Sequence, residues 1–232
     1  MTVTGKSVVV VGGGRGLGRG VVLAAREAGA RVTAVARELD EADGVQGDAT
    51  DEGFAEKVLA ERRPDLLVIT AGAVPEMRPL AGHTWETFSA NWHADVRIAF
   101  TWLRAAMRQP LAPGSLVVVF GSAAELRGSP LSGGYAGAKA TVRMITGYAA
   151  AEAKDLGIAM TTVLPVITPG TRIGDTAIRA YAESSGLTSE RFTANLPNAP
   201  TAASIGRSVV GLAGAAVASA YTADRSGLRP LD

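Results

Sequence analysis

The sequence predicts a doubly wound α/β fold built on a parallel sheet. Three observations carry that expectation: apolar, β-branched runs without in/out alternation, helical patterns between them, and a glycine cluster joining the first run to the first helix. Strands covered on both faces lose the period-two pattern, and Ser7–Val11, Arg31–Ala36, Leu66–Thr70, Ser115–Phe120 and Ala159–Leu164 all read this way. Between them lie Gly16–Ala28, Asp51–Arg62, Thr84–Gln109 and Gly134–Asp155, each long enough for a helix. In the third, Trp85, Phe88, Trp92, Val96, Ala99, Leu103 and Met107 recur at steps of three and four, a stripe for core or subunit interface that Pro110 stops. Right-handed crossovers complete such a sheet. The uncharged stretch Ser208–Ala223 reads as a further buried helix. The segment 165–200 has no strand signal and reads as a lid or binding loop. No linker or repeat interrupts the chain, so residues 1–232 form a single domain.

Composition narrows the function classes. The chain has 232 residues, with 23 Lys+Arg against 22 Asp+Glu, and this near-neutral balance gives no field to attract nucleic acid or an anionic membrane. The absence of cysteine excludes disulfides, thiolate catalysis and cysteine-bound metal centres. Val8–Val11 is too short for a signal-peptide core, and Ser208–Ala223 falls short of the roughly 20 apolar residues of a membrane span. The expectation is a soluble, cytoplasmic protein. His83 and His93 stand ten residues apart without an acidic cluster, so no metal site is expected.

Val11-Gly12-Gly13-Gly14-Arg15-Gly16-Leu17-Gly18 joins the first strand to the first helix. Glycines here permit a tight turn and let backbone N–H groups approach a pyrophosphate at the helix N-terminus. The spacing is Gly12-x-x-x-Gly16-x-Gly18, not G-x-G-x-x-G. About 20 residues on, a site for NAD(H) places an acid against the ribose diol. Here Ala36 and Arg37 stand at that point. A guanidinium binds a 2′-phosphate in a bidentate fork, and Arg15 in the turn can reach the same group, which favours NADP(H) over NAD(H). A solvated loop charge is the competing account of Arg37. Asp48, followed by Ala49, either accepts from an adenine amino group or caps the next helix.

Tyr135 and Lys139 are four residues apart, one turn on one helix face. Ser122 lies 13 residues before Tyr135 at the end of a buried strand, the edge where α/β sheets bind ligands. A phenol of pKa near ~10 needs ~4 kcal/mol of phenolate preference to drop by ~3 units. One ammonium at ~4 Å with an effective dielectric near ~20 supplies about that much. Lys139 therefore suits Tyr135 to acid/base work.

With these residues in place the chain resembles the short-chain dehydrogenase/reductase family, in its short subclass, from about Ser7 to near Ala220. The glycine turn matches the cofactor turn of that family. Ser122, Tyr135 and Lys139 match its catalytic residues in spacing and order. Asn91, in Trp85-x-x-Phe88-x-x-Asn91, matches its helix asparagine, and Ala71-Gly72 the end of its Asn-Asn-Ala-Gly motif. The resemblance implies a Rossmann-type fold and NADPH-dependent reduction of a small-molecule ketone or aldehyde to an alcohol. Tyr135 would protonate the oxygen, Ser122 orient it, Lys139 tune Tyr135 and contact the nicotinamide ribose, and Asn91 hold a water relaying protons to Lys139. It implies cofactor contacts at Gly12, Gly14, Arg15, Gly16, Leu17, Gly18, Arg37, Asp48, Ala49, Ala71, Gly72, Tyr135, Lys139 and Thr168, with Thr171 competing for the last role. It also implies a homodimer or homotetramer. The same residues would equally serve isomerisation, dehydration or imine reduction, or a non-catalytic NADP(H)-binding sensor.

The chain departs from the family pattern in several places. Val11 replaces the usual Thr or Ser before the first glycine. Ile69-Thr70 replaces the paired asparagines, so the Thr70 hydroxyl is the candidate to rebuild their contacts with the sheet. Pro165-Val166 stands in place of Pro-Gly, and Leu228–Asp232 lacks the common Asp-Gly-Gly. Arg127, Arg172 and Arg179 read as surface charges, with contact to a substrate carboxylate as the alternative.

Overall fold

Four consecutive valines in the first strand set up the two layers of the core. In an extended chain successive side chains point to opposite faces, so Val8 and Val10 enter one cluster while Val9 and Val11 enter the other. The computed structural model describes residues 3–39 and 44–231. In chain order these form β1 (Ser7–Val11), α1 (Gly16–Glu27), β2 (Arg31–Ala36), β3 (Val45–Gln46), α2 (Glu52–Arg62), β4 (Leu66–Ile69), α3 (Trp85–Asn91), a π-helical turn (Trp92–Val96), α4 (Arg97–Arg108), β5 (Leu116–Phe120) and α5 (Ala124–Arg127). There follow α6 (Tyr135–Glu152), β6 (Ala159–Pro165), α7 (Arg172–Ser184), α8 (Ser189–Ala194), α9 (Ala202–Val210), β7 (Ala220–Asp224) and β8 (Gly227–Pro230).

The strands form one sheet in the order β3-β2-β1-β4-β5-β6-β7-β8. All neighbours are parallel except β7 and β8, which are antiparallel. The order reverses between β1 and β4, so the crevice at their carboxyl ends is where such a sheet binds ligands. One face carries α1 and α9, with Val21, Val22, Ile205 and Val209 in its cluster; the other carries α2, α4 and α6, with Val58, Leu59, Trp102, Leu103 and Val142. The five expected strands are present. The alternation is the Rossmann-like α/β arrangement read from the sequence.

Three expectations change. Residues 208–223 are not a helix: α9 ends at Val210, and after a turn region the chain enters β7. Alanine and glycine made this stretch look helix-compatible, but Ala220-Tyr221-Thr222-Ala223 lies flat against β6. The sheet is not wholly parallel, since Gly227 turns the C-terminal residues back beside β7; Asp232 lies outside the described residues. The helix expected over 84–109 is interrupted by the π-turn, which rotates α4 relative to α3. Trp85 and Trp92 are exposed while Trp102, outside the expected stripe, is fully buried and donates its indole N–H to Ala49 O at 2.9 Å. The segment 165–200 carries α7 and α8 and no strand.

The closest helix contact is α1 on α9. A Cβ added at Gly206 would lie 2.2 Å from Gly20 O, and one at Gly20 would lie 2.1 Å from Ala202 O. Helix propensity alone favours alanine over glycine by about 1 kcal/mol. Backbone cannot move aside as a flexible side chain can, so the clash decides the sign. Gly206→Ala is expected to destabilise the protein by roughly 1–3 kcal/mol in urea unfolding.

Candidate active site

The turn after β1 is shaped by close backbone approaches. Gly12 has φ +89°, and a Cβ there would sit 2.6 Å from Ala71 N. A Cβ at Gly18 would sit 2.2 Å from Gly12 O. Both positions therefore exclude any side chain, which seats the start of α1 directly over the β1–β4 crevice. Thr70 closes the same corner, donating its hydroxyl to Val11 O at 2.8 Å. This is the rebuilt contact expected where the paired asparagines are missing.

The helix N-terminus is open to an anion. Arg15 occupies the N-cap in extended conformation without a side-chain cap, and the first turn of α1 holds no acid. Gly14 and Arg15 are exposed, so neither the amides nor the guanidinium is shut away. Arg37 is exposed at the end of β2. A dinucleotide fits this cradle, since the places a phosphate must approach carry no side chain.

Asp48 Oδ1 accepts from Thr50 N at 2.9 Å and Thr50 Oγ1 at 2.8 Å. These bonds hold its carboxyl below the usual carboxylate range, with Arg37 and Arg97 adding to the effect. It does not cap α2. That role belongs to Asp51, whose carboxylate accepts from Phe54 N at 2.6 Å.

The expected catalytic residues converge at the carboxyl end of β5. Ser122 lies just past the strand, and its Oγ accepts from Ala124 N at 3.2 Å. Tyr135 opens α6, and Lys139 lies one turn on with Nζ 5.8 Å from the centre of the Tyr135 ring. Both side chains are buried. Lys139 donates to Phe120 O at 3.1 Å, using the strand-end carbonyl one turn from its own helix start. Asn91 donates its amide N–H to Ala73 O at 2.9 Å and approaches Asp95 Oδ1 at 3.4 Å.

Sequence reasoning missed Asp95. Its side chain is buried in the π-turn, with Oδ2 paired to Lys139 Nζ at 3.1 Å and Oδ1 accepting from Ala73 N at 2.7 Å. The contact with Lys139 is an ion pair rather than a well-aligned hydrogen bond. The available signal was an acid four residues after Asn91 inside an apolar stripe. Glu125 was missed too. Its side chain is shut off from solvent and paired with Arg143 of α6.

These charges oppose one another at Tyr135. Burial pushes its pKa up; Lys139 and a hydrogen bond with Ser122 pull it down, and Asp95 and Glu125 push it up again, leaving it above the usual value. The lysine acts in the direction its spacing implies but does not win in the protein alone. Burial by itself would lower Lys139, yet Asp95, followed by Tyr135 and Glu125, holds it above its ordinary value. Burial likewise raises Glu125 against the pull of Arg143.

Residues 6–181 match the family model described as short chain dehydrogenase. The chain belongs to the short-chain dehydrogenase family. It is an oxidoreductase acting between alcohol and carbonyl groups of small molecules. Among its relatives in the family, the L-xylulose reductase of Mesocricetus auratus is 30% identical over 176 residues, covering 70% of this chain and 72% of that enzyme. Carbonyl reductase [NADPH] 2 of Sus scrofa is 28% identical over 180 residues, covering 72% and 73%. A short chain dehydrogenase from Burkholderia cenocepacia J2315, solved in complex with NADP, superposes with a TM-score of 0.79 at 21% identity, covering 97% of this chain and 98% of that one.

The remaining residues of this short-chain dehydrogenase singled out from sequence have more ordinary surroundings. Thr168 is buried, its hydroxyl donating to Val166 O at 3.0 Å. Thr171 donates to Thr168 O at 2.8 Å and accepts from Gly174 N at 3.1 Å, so it is the cap of α7. Arg127, Arg172 and Arg179 are exposed. His83 packs edge-on against Phe88 and meets Thr87 Oγ1 at 3.1 Å, while His93 is exposed on the π-turn. No helix among the described residues is long and apolar enough to cross a membrane.

The Thr70 hydroxyl is open to a direct test. Thr70→Val keeps the shape and removes the hydroxyl donor to Val11 O while leaving the Thr70 and Ala71 backbone donors in place, and a stability loss of about 1 kcal/mol in urea unfolding is expected.

Proposed function

We propose that this enzyme reduces a small-molecule ketone or aldehyde with NADPH. The reading is carried by the convergence of Ser122, Tyr135 and Lys139 at the end of β5, beside a glycine turn packed tightly enough to seat the N-terminus of α1 over the β1–β4 crevice. A bound NADPH supplies the hydride. Tyr135 donates its phenolic proton to the substrate oxygen, and its pKa above the ordinary value suits a group that must hold that proton until it is needed. Ser122 hydrogen-bonds the same oxygen and orients the carbonyl. Lys139 keeps an N–H beyond those facing Phe120 and Asp95, and that N–H would be available to the nicotinamide ribose. Thr168 would be the residue to meet the nicotinamide carboxamide.

The choice of NADP(H) rests on Arg15 and Arg37. Both are exposed at the carboxyl edge of β1 and β2, where a guanidinium can turn toward a ribose phosphate. Support also comes from the names of two relatives, an L-xylulose reductase and an NADPH carbonyl reductase, and from the NADP complex of the Burkholderia cenocepacia protein. Residues 165–200, with α7 and α8, act as the substrate lid; Tyr181 of α7 meets Ser129 of the loop before α6 at 2.7 Å, which joins lid to catalytic loop. The protein assembles as a homodimer or homotetramer through α4 and α6, where Phe100, Met144 and Tyr148 are about half exposed.

Two measurements check this reading. NADPH oxidation over a panel of carbonyl compounds is expected to fall by at least ~100-fold in Tyr135→Phe, the lower range for loss of a general acid. An equal rate in that variant overturns the assignment. Arg37→Ala is expected to weaken NADPH binding by roughly tenfold or more, the size of a lost charge-assisted contact, and to leave NADH binding unchanged. Fluorescence titration with both nucleotides reads the difference.

A further inference from the structure

Asp95 occupies a place that several independent features create. The π-turn Trp92–Val96 inserts one residue between α3 and α4 and turns the Asp95 carboxylate into the interior. Gly72 leaves the space it fills: a Cβ there would lie 2.8 Å from Asp95 Oδ2 and 2.9 Å from Oδ1. The Ala73 N–H and the Asn91 amide hold Oδ1, at 2.7 and 3.4 Å. Oδ2 meets Lys139 at 3.1 Å with only 1% of the Asp95 side chain and 6% of the Lys139 side chain exposed. The link between Asn91 and Lys139 that family resemblance assigns to a water is thus made by a carboxylate.

We propose that Asp95 is a positioning residue of the active site: a fixed counter-charge that seats the Lys139 ammonium and sets the pH window in which Tyr135 exchanges its proton. The inference rests on Tyr135 being the acid/base of the proposed reaction. A water in this place would leave the full positive charge of Lys139 to stabilise phenolate. The carboxylate cancels much of that charge, so the phenol keeps its proton to higher pH and the site favours proton donation, the reductive direction. The other charged groups facing the pair are Glu125 of α5, which also opposes phenolate, and its partner Arg143 of α6. Glu125 stays in place when Asp95 is replaced, so the contribution of Asp95 is separable.

A negative charge beside a phenol disfavours phenolate, so removing it favours ionisation and lowers the Tyr135 midpoint. The near-ultraviolet phenolate absorbance of Asp95→Asn and Asp95→Ser, each subtracted from its Tyr135→Phe counterpart, reads that midpoint with and without NADP⁺ and without any substrate. The expected result is a fall on the order of one unit or more relative to the parent protein, the size that one nearby charge produces. The acid limb of alcohol oxidation should move the same way. A merely structural role for Asp95 would lower stability or rate and leave the midpoint where it was. A midpoint that stays or rises in the folded variants overturns the proposal, including the case where Lys139 discharges once its partner is gone. Gly72→Ala keeps Asp95 and crowds its carboxylate away from Lys139, so it should show the same shift to a smaller degree. If neither Asp95 variant folds and Gly72→Ala leaves the midpoint unchanged, the proposal falls as well. Failure of every carbonyl compound to be reduced would sink the proposed reaction but leave this titration readable.

Discussion

The burial of one ammonium organises the half of this enzyme that carries Ser122 and Tyr135. An isolated charge inside a protein is expensive enough that it either loses its proton or acquires partners. Lys139 acquires them from three directions: a carbonyl left free where β5 ends, a carboxylate turned inward by a π-helical step, and the face of the tyrosine one turn away. Each partner belongs to a different element. Their relative placement fixes how α6 lies against β5 and against the junction of α3 and α4.

The half around the glycine turn depends on the opposite device, the absence of side chains. Gly12 and Gly18 let the first turn of α1 settle against Thr70 and Ala71, so β1, β4 and α1 share a single corner. Thr70 ties that corner with one hydroxyl. The two halves meet at residues 71–73, where the glycine turn presses from one side and Asn91 and Asp95 bind from the other.

Much of this was legible from residues alone. Runs such as Val8–Val11 and Leu116–Phe120 are buried on both faces and carry the strand signal undiluted by polar positions. Ser122, Tyr135 and Lys139 were legible because their spacing is local to one strand end and one helix. Asp95 was not, since a regular helix read from sequence gives no reason to expect a π-turn, and its partners Ala73 and Lys139 come from distant parts of the chain. β7 was hidden by its surroundings: Tyr221 and Thr222 favour a strand but stand at the end of an Ala/Gly/Ser-rich stretch, and β6 offers them an edge. The electrostatic balance at Tyr135 was legible only in part, because burial and the two carboxylates cannot be counted until the fold has placed them.

The contact of Gly20 with Gly206 also bears on how the protein is made. In chain order α1 precedes its closest neighbour, α9, with β2 to β6 lying between them. The glycine turn therefore waits with one side of α1 uncovered until the chain through α9 has been made. Closing a loop of that length costs little more entropy than closing one half as long, but it cannot begin before α9 exists. The seat of α1 is complete only once α9 has been made, and any product that stops short of α9 exposes an apolar flank where the finished enzyme has a tight seam.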